Sequence, residues 1–375
     1  MKIVLTGGGT GGHFYPLIAV AEAINARVDT EGLVGVELYY ISDAPFDKDA
    51  LIRNRMKYLE IRSGKIRTYA SARNFFDKFL TIFAVLKALV KLFIIYPDVV
   101  FGKGGYASFP SVCAARILRI PVVIHEPDSI PGRVNRWVAD YAQAIAIAFP
   151  EASKYFKHKS RVALIGNPIR QSLLTLPRDT AHATLGLDPS LPTIVVLGGS
   201  QGSEKINESI VDILPRLLEK YQVIHQSGEK HHAWIKTRTE GVLKDLPIQS
   251  RYRLYPFIDQ ETLRNVAGAG NLIIARAGSS LFEFAAWGIP SILIPLPIAR
   301  EDHQKENAYS YARTGAALVV EEMNLKSELL YHVVDDTLSN PQMMEKMRQA
   351  CGAYAHSDAS MKIADMLIAI GQSHG

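Results

Sequence analysis

The chain has 375 residues, 48% hydrophobic and 21% charged, which is too long for one ordinary core and too apolar for extended disorder; two domains fit best. Two cysteines, Cys113 and Cys351, exclude a disulfide framework or a CxxC metal knuckle and predict a reducing, cytoplasmic setting. The net charge of +5 is unevenly placed: residues 53–91 hold ten Lys/Arg against Glu60 and Asp77, a local +8 in an otherwise slightly acidic chain.

The opening residues do not read as a secretory signal, because a short apolar run after Lys2 gives way at once to glycines. In chain order, Lys2 to Thr6 reads as a strand, GGGTGG at 7–12 as a glycine loop, and Pro16 to about Ala26 as a helix. A second strand spans Val36 to Ser42. PDVVFGKGGYASFPSVCAARIL, 97–118, repeats the opening order of strand, glycine loop and helix. IPVVIHEPDS, 120–129, is a short buried strand ending in polar residues, and Ala142 to Phe149 and Val162 to Ile165 continue the alternation.

After Gly166-Asn167-Pro168 the pattern restarts. Residues 175–192 read as a linker and first helix; residues 191–217 then run strand, glycine loop (GGSQG), helix. YQVIHQSG, YRLYPFID, NLIIARAGSSLFEFAAWG and IPSILIPLP lead four more units. Strands apolar on both faces and alternating with helices predict two α/β domains built on parallel sheets.

Glycines between a strand and a helix let an anion approach backbone amides at the positive end of a helix dipole. Gly7, Gly9 and Gly12 match G-x-G-x-x-G, and Asp43 stands where a ribose-binding acid would, so a dinucleotide reading is open. Against it stand two further cradles, 102–106 and 198–202, which fit two phosphorylated ligands better than one dinucleotide. His13 at the helix start reads equally as a packing residue or a general base. Ser279 and Ser280 after Arg276 are placed to cap a helix whose first amides face phosphate, with Glu283 in its first turn complementing the dipole or accepting from a ribose. Asp302, His303, Gln304 and Asn307 follow a strand, where open α/β sheets present ligands. No spacing of His, Cys or Asp reads as a strong metal site.

Nine segments fall in one order: GGTGGHFYP (8–16), GKGGYASFP (102–110), HEPDSIPGRVNR (125–136), GNPIR (166–170), GGSQG (198–202), HQSG (225–228), FID (257–259), RAGSSLFE (276–283) and DHQKENA (302–308). Together they resemble the MurG family of bacterial glycosyltransferases over almost the whole chain. The resemblance implies a GT-B fold, two Rossmann-like domains facing across a cleft. It divides the chain into an acceptor-binding domain at 1–167, a donor-binding domain at 168–348, and a C-terminal helix at 349–375 packing back on the first. It implies inverting transfer of N-acetylglucosamine from UDP-N-acetylglucosamine to the 4-hydroxyl of the muramyl sugar of lipid I, giving lipid II for peptidoglycan. Transfer to another lipid acceptor, or a UDP-sugar epimerase on the same fold, are the alternatives.

By the same resemblance, Ile258 contacts uracil through its backbone, Glu283 holds the ribose, and Ser200, Arg276, Ser279 and Ser280 surround the diphosphate. Gln304 reads the sugar hydroxyls; Thr10, Gly11, Gly12, Asp128 and Arg170 complete the donor set. Gly8, Gly9, Gly104, Gly105 and Tyr106 cradle the acceptor diphosphate, and His13 and Glu126 are the candidate bases. No cofactor and no metal are implied. The chain departs from the family in reading His125-Glu126-Pro127-Asp128 for the usual HEQN, in a segment 276–283 shorter by one residue, and in Lys305. Residues 75–97 are apolar but interrupted by Lys78, Lys87 and Lys91, too short in their runs to span a bilayer. The pattern fits a core helix with solvated lysines nearly as well as an amphipathic helix lying on an anionic membrane surface; the lipid-linked acceptor that the resemblance implies favours the second, on the cytoplasmic face of the bacterial cell membrane. No nucleic-acid motif accompanies the basic patch, so no nucleic-acid partner is expected.

Overall fold

A computed structural model describes residues 1–8, 11–64, 73–199, 201–297 and 302–374, with the backbone alone at 73–76 and 78. The chain divides into two compact units, Met1–Gln171 with His356–Gly375, and Ser172–Ala355. The sequence reading divides it at 167/168 and 348/349. The chain leaves the first unit only after the Arg170 guanidinium has stacked 4.0 Å above the Tyr15 ring and the Gln171 N–H has reached the Glu22 carboxylate at 3.0 Å.

Unit 1 contains β1 (Lys2–Thr6), β2 (Glu37–Ser42), β3 (Met56–Glu60), β4 (Val99–Gly102), β5 (Val122–Glu126), β6 (Ala144–Ile147) and β7 (Val162–Leu164). They form one parallel sheet in the order β3-β2-β1-β4-β5-β6-β7, with Leu5 of β1 in register with Tyr40 and Phe101. Alternation sorts the side chains by face. Ile3, Leu5, Val99 and Phe101 pack under the Gly11–Glu31 and Ala359–His374 helices. Val4, Val100 and Ile124 pack under the helices Arg73–Ile95, Phe109–Ile117 and Arg133–Val138. The apolar-run reading of a doubly covered sheet is therefore correct.

Three local differences have physical causes. The first helix begins at Gly11, five residues before Pro16. Pro16 lies inside this helix, in its second turn, and removes the N–H that would reach the Gly12 carbonyl. β3, hidden in the basic stretch 53–91, is a half-exposed edge strand whose pattern is neither apolar nor alternating. Its Lys57 pairs with Glu37 on β2 at 2.8 Å, so part of the local positive charge is neutralised from outside the segment.

The Arg73–Ile95 helix is amphipathic in register. Ala84, Ala88 and Leu92, spaced four apart, face the core, while Phe79, Ile82, Phe83, Leu86, Val90 and Phe93 are exposed. No described helix is long and apolar enough to cross a membrane.

Unit 2 repeats the winding with β8 (Thr193–Leu197), β9 (Gln222–Gln226), β10 (Tyr252–Tyr255), β11 (Leu272–Ala275), β12 (Ser291–Leu293) and β13 (Ala317–Val319) in the parallel order β10-β9-β8-β11-β12-β13. β13 is a further strand that the sequence reading does not mark. The Glu204–Lys220 helix buries Ile206, Ile210, Leu214 and Leu217 against Ile194 and Val196. The entering segment is pinned by Trp287, whose indole N–H donates to the Leu173 carbonyl at 3.0 Å.

The Ala359–His374 helix belongs to unit 1 through Ile363, Ala364 and Leu367, all fully buried against the first helix, and through a two-pronged Arg27–Asp365 pair at 2.7 and 2.9 Å. Leu367→Ala should cost about 2–5 kcal/mol. Urea unfolding followed by probes in each unit should register this as a loss confined to unit 1; an unchanged midpoint there would show that the helix contributes no cohesion.

Candidate functional site

In both units the winding reverses beside the first strand, between β1 and β4 in unit 1 and between β8 and β11 in unit 2. Loops that leave the sheet in opposite directions open a crevice at the strands' C-terminal ends, the ligand position of open α/β sheets. The glycine loops 7–12 and 102–106 flank the first reversal; 198–202 and the segment from Arg276 flank the second. Gly9, Thr10 and Ser200 lie outside the described residues.

The glycines of unit 1 are demanded by close approach. A Cβ at Gly8 would lie 2.3 Å from Ser42 Oγ, and one at Gly7 would lie 3.1 Å from the Cβ of Lys103. Gly104 and Gly105 turn left-handed at φ +79° and +78°; a Cβ on Gly104 would strike the Asn135 amide at 2.9 Å, and one on Gly105 would meet Gly8 O and His13 Nε2, each at 3.7 Å. Gly8, His13, Gly104, Gly105 and Tyr106 are thus brought together. The Tyr106 hydroxyl donates to Asp43 at 2.5 Å, and Asp43 also accepts from Ser42 Oγ and Ala44 N. The acid singled out for a dinucleotide ribose here ties the loop after β2 to the loop after β4. Gly11 and Gly12 open the helix that carries His13.

Beneath these loops lies a side chain to which the sequence reading gives no role. Lys103 is fully buried, and its Nζ stands 2.6 Å from His125 Nδ1 and 2.7 Å from Asn167 Oδ1. His125 Nε2 is 2.8 Å from the Gly166 carbonyl, which can only accept, so the ring proton sits on Nε2 and Nδ1 accepts from the lysine. Burial, reinforced by the lysine charge, holds the imidazole neutral. Burial lowers the Lys103 amine to about 7, against a smaller opposite pull from Glu126 and Asp128. The loop after β4, the end of strand β5 and the loop after β7 are joined through this one amine.

Glu126 ends β5, also buried. Its Oε1 accepts the Asp128 N–H at 3.0 Å, and its Oε2 accepts from Gly132 N at 3.1 Å and Asn135 Nδ2 at 2.9 Å. Burial and then the Asp128 charge push its pKa up, while the three donors pull it down. The carboxylate folds the loop that presents Asp128. Arg170 is 4% exposed and lies in unit 1 against Tyr15, with Glu22 nearby.

In unit 2, Gly202 at φ +75° would place a Cβ 2.0 Å from the Ser227 carbonyl, so only glycine closes this loop. Ser203 caps the Glu204–Lys220 helix and accepts at 2.6 Å from Arg276, whose guanidinium also donates to Ile294 O at 2.9 Å and pairs with Glu322. Arg276 therefore fastens the loop after β8 to the ends of β11 and β12. Gln226 bridges Gly199 O at 3.1 Å and the Ile258 N–H at 3.2 Å, so that backbone donor already serves the protein. Ser279 and Ser280 are partly exposed before the Leu281–Trp287 helix, and Glu283 sits in its first turn. Gln304 accepts from Leu296 N at 3.1 Å, and Lys305 pairs with Glu321 at 2.9 Å. His225 is buried between Tyr252 OH and Asn207 Oδ1, and burial lowers it to about 3. The motif HQSG thus contributes a neutral internal strut. Glu322 lies in no quoted segment and Asn167 sits inside GNPIR without an assigned role, and only the fold reveals their partners.

The Lys103 amine sets a pH signature. Between about pH 7 and its ordinary 10.5 the unfolded chain holds a proton that the folded chain lacks, so stability rises with pH across that window. Relative to Lys103→Met, the wild type should gain about 1 kcal/mol of unfolding free energy per pH unit from pH 7.5 to 9.5. Denaturant titrations at stepped pH measure it, and a flat difference would mean the amine stays charged.

Residues 3–147 match the glycosyltransferase family 28 N-terminal domain and residues 193–363 the C-terminal domain of the same family. A UDP-N-acetylglucosamine–N-acetylmuramyl-(pentapeptide) pyrophosphoryl-undecaprenol N-acetylglucosamine transferase of Oenococcus oeni is 35% identical over 99% of this chain and 97% of its own. The crystal structure of Acinetobacter baumannii MurG superposes with a TM-score of 0.70 at 25% identity, covering 98% of this chain and 99% of that one. The UDP-GlcNAc 2-epimerase of Neisseria meningitidis, crystallised with UDP-GlcNAc, reaches the same TM-score at 14% identity over 98% of this chain and all of its own, a likeness of fold alone.

Proposed function

The chain belongs to glycosyltransferase family 28 and has the GT-B fold, and from that premise we infer that it transfers N-acetylglucosamine from UDP-N-acetylglucosamine to lipid I, giving lipid II for peptidoglycan. The observation that carries this reading is the full-length similarity, at 35% identity, to a transferase named for that reaction. The paired glycine loops at the winding reversal of each unit support it, since donor and acceptor both carry a diphosphate. The epimerase alternative rests on shared fold only.

In this reading unit 2 holds the donor. Glu283 accepts from the ribose hydroxyls, Ser279, Ser280 and the amides after Arg276 face the diphosphate, and Gln304 reads the sugar. Uracil is met by the Ile258 backbone, whose N–H must leave Gln226 to serve the base. Unit 1 holds the acceptor diphosphate on Gly8, Gly104, Gly105 and Tyr106. The acceptor oxygen attacks the anomeric carbon, the bond to UDP breaks with inversion, and the hydroxyl proton passes to a base. His13 is the better base, because the oxygens of Glu126 already hold three N–H donors. Donor amides aimed at the departing phosphate stabilise its charge.

The exposed apolar face of the Arg73–Ile95 helix, with Lys87 and Lys91 beside it, seats the enzyme on the cytoplasmic face of the cell membrane, where a lipid-linked acceptor resides. Through lipid II supply this activity bears on cell shape and division.

Transfer of labelled N-acetylglucosamine to a short-chain lipid I analogue tests the reaction; folded protein without transfer would sink it. In the same assay Glu283→Ala should raise the donor KM by the equivalent of about 1–3 kcal/mol, and His13→Ala should cut kcat by about 10²–10⁴. Phe83→Glu should weaken sedimentation with phosphatidylglycerol vesicles while sparing transfer to a water-soluble acceptor, and unchanged sedimentation would remove the membrane seat.

A further inference from the structure

Burying an amine completely is costly unless the site uses it. Lys103 is held under the two acceptor-side loops, its Cβ against Gly7 and its own backbone leading into the left-handed pair Gly104-Gly105. Among the described residues its Nζ has two acceptors, His125 Nδ1 and Asn167 Oδ1. A neutral amine carries two N–H groups and an ammonium three, so both forms satisfy this pair. The side chain can change charge without breaking a hydrogen bond or moving a loop.

We propose that Lys103 is a positioning residue for the acceptor's diphosphate, taking up a proton when that anion binds and thereby making the floor of the acceptor site positive. The inference rests on the transferase reading above. Its direction follows from linkage: an anion nearby favours the ammonium, so the bound pKa exceeds the free value of about 7. Affinity is then greatest below the free pKa and declines as pH rises towards the bound one. A diphosphate esterified at both ends does not itself titrate there, so the slope belongs to the protein.

Other titratable or charged groups stand on the neighbouring elements. His125 stays neutral. Glu126 and Asp128 extend from β5, and Asp43 is tied to Tyr106 on the adjoining loop. His13 stands on the first helix and His356 packs on Gly166. Each of these persists when Lys103 is replaced, so a variant separates its contribution from theirs. A purely structural tie between loops predicts lost stability and no change in pH profile.

The test measures acceptor KM for a short-chain lipid I analogue from pH 6.5 to 9 at saturating UDP-N-acetylglucosamine, using the full-length protein. For the wild type it should rise about tenfold across the range, the effect of one proton over one unit of pKa shift. Lys103→Met should show an acceptor KM about tenfold higher at pH 6.5 and nearly flat, with donor KM and kcat little changed. Lys103→Arg, charged throughout, should restore a low, flat KM. If Met at this position does not fold, Lys103→Gln supplies the uncharged donor. A wild-type slope retained in the uncharged variant, or an equal change in both KM values and kcat, would overturn the proposal. Wild-type protein without any transfer would refute the transferase reading, and this inference with it.

Discussion

A parallel sheet whose connections wind outward in both directions from one strand must leave a gap where they part. In this chain the constraint operates twice, beside β1 and beside β8. Everything chemical in the molecule is arranged around those two gaps. The loops there are crowded, at Gly8 by the Ser42 hydroxyl, at Gly104 by the Asn135 amide and at Gly202 by the Ser227 carbonyl. Glycine at positions 8, 104 and 202 follows from that crowding as much as from any ligand. The same crowding leaves helix amides directed at the space above the sheet.

The two gaps are fastened by different chemistry. In unit 2 a cation, Arg276, is paired with Glu322 and bonded to Ser203 and to a strand-end carbonyl, a fixed charge with fixed partners. In unit 1 the corresponding bracing runs through neutral His125, Asn167, and a lysine whose pKa falls near neutrality. A guanidinium in this setting remains charged at any accessible pH, whereas a desolvated amine does not. Of these two braces, the one in unit 1 is the one whose charge can change near neutral pH.

Much of the fold could be read from residue order. Strands apolar on both faces, each followed by glycines and a helix, define a doubly covered parallel sheet without further information, and β1 was legible to the residue. β3 and β13 escaped, β3 because its half-exposed residues neither alternate nor form an apolar run. The true start of the first helix escaped because Pro16 is a stronger written signal than the two helical glycines before it. At the sites, residue types and positions were legible, but partnerships were not. Asp43 looked like a ribose ligand and is tied to Tyr106 sixty-three residues away; Glu126 looked like a base and is enclosed by donors from 128, 132 and 135. Lys103 sat inside a quoted motif and passed as loop chemistry. Hydrogen-bond partners brought together by crossovers leave no local trace in the sequence.

The return of the Ala359–His374 helix to unit 1 sets a timetable for synthesis. The first helix is made early, yet the Ala359–His374 helix that shares its core emerges from the ribosome only after all of unit 2. Counted from Gln171 to His374 at a translation rate of about 5–20 residues per second, the wait is roughly ten to forty seconds. For that time the nascent first unit carries an uncovered apolar strip, and the unit encoded second is the first able to close its core.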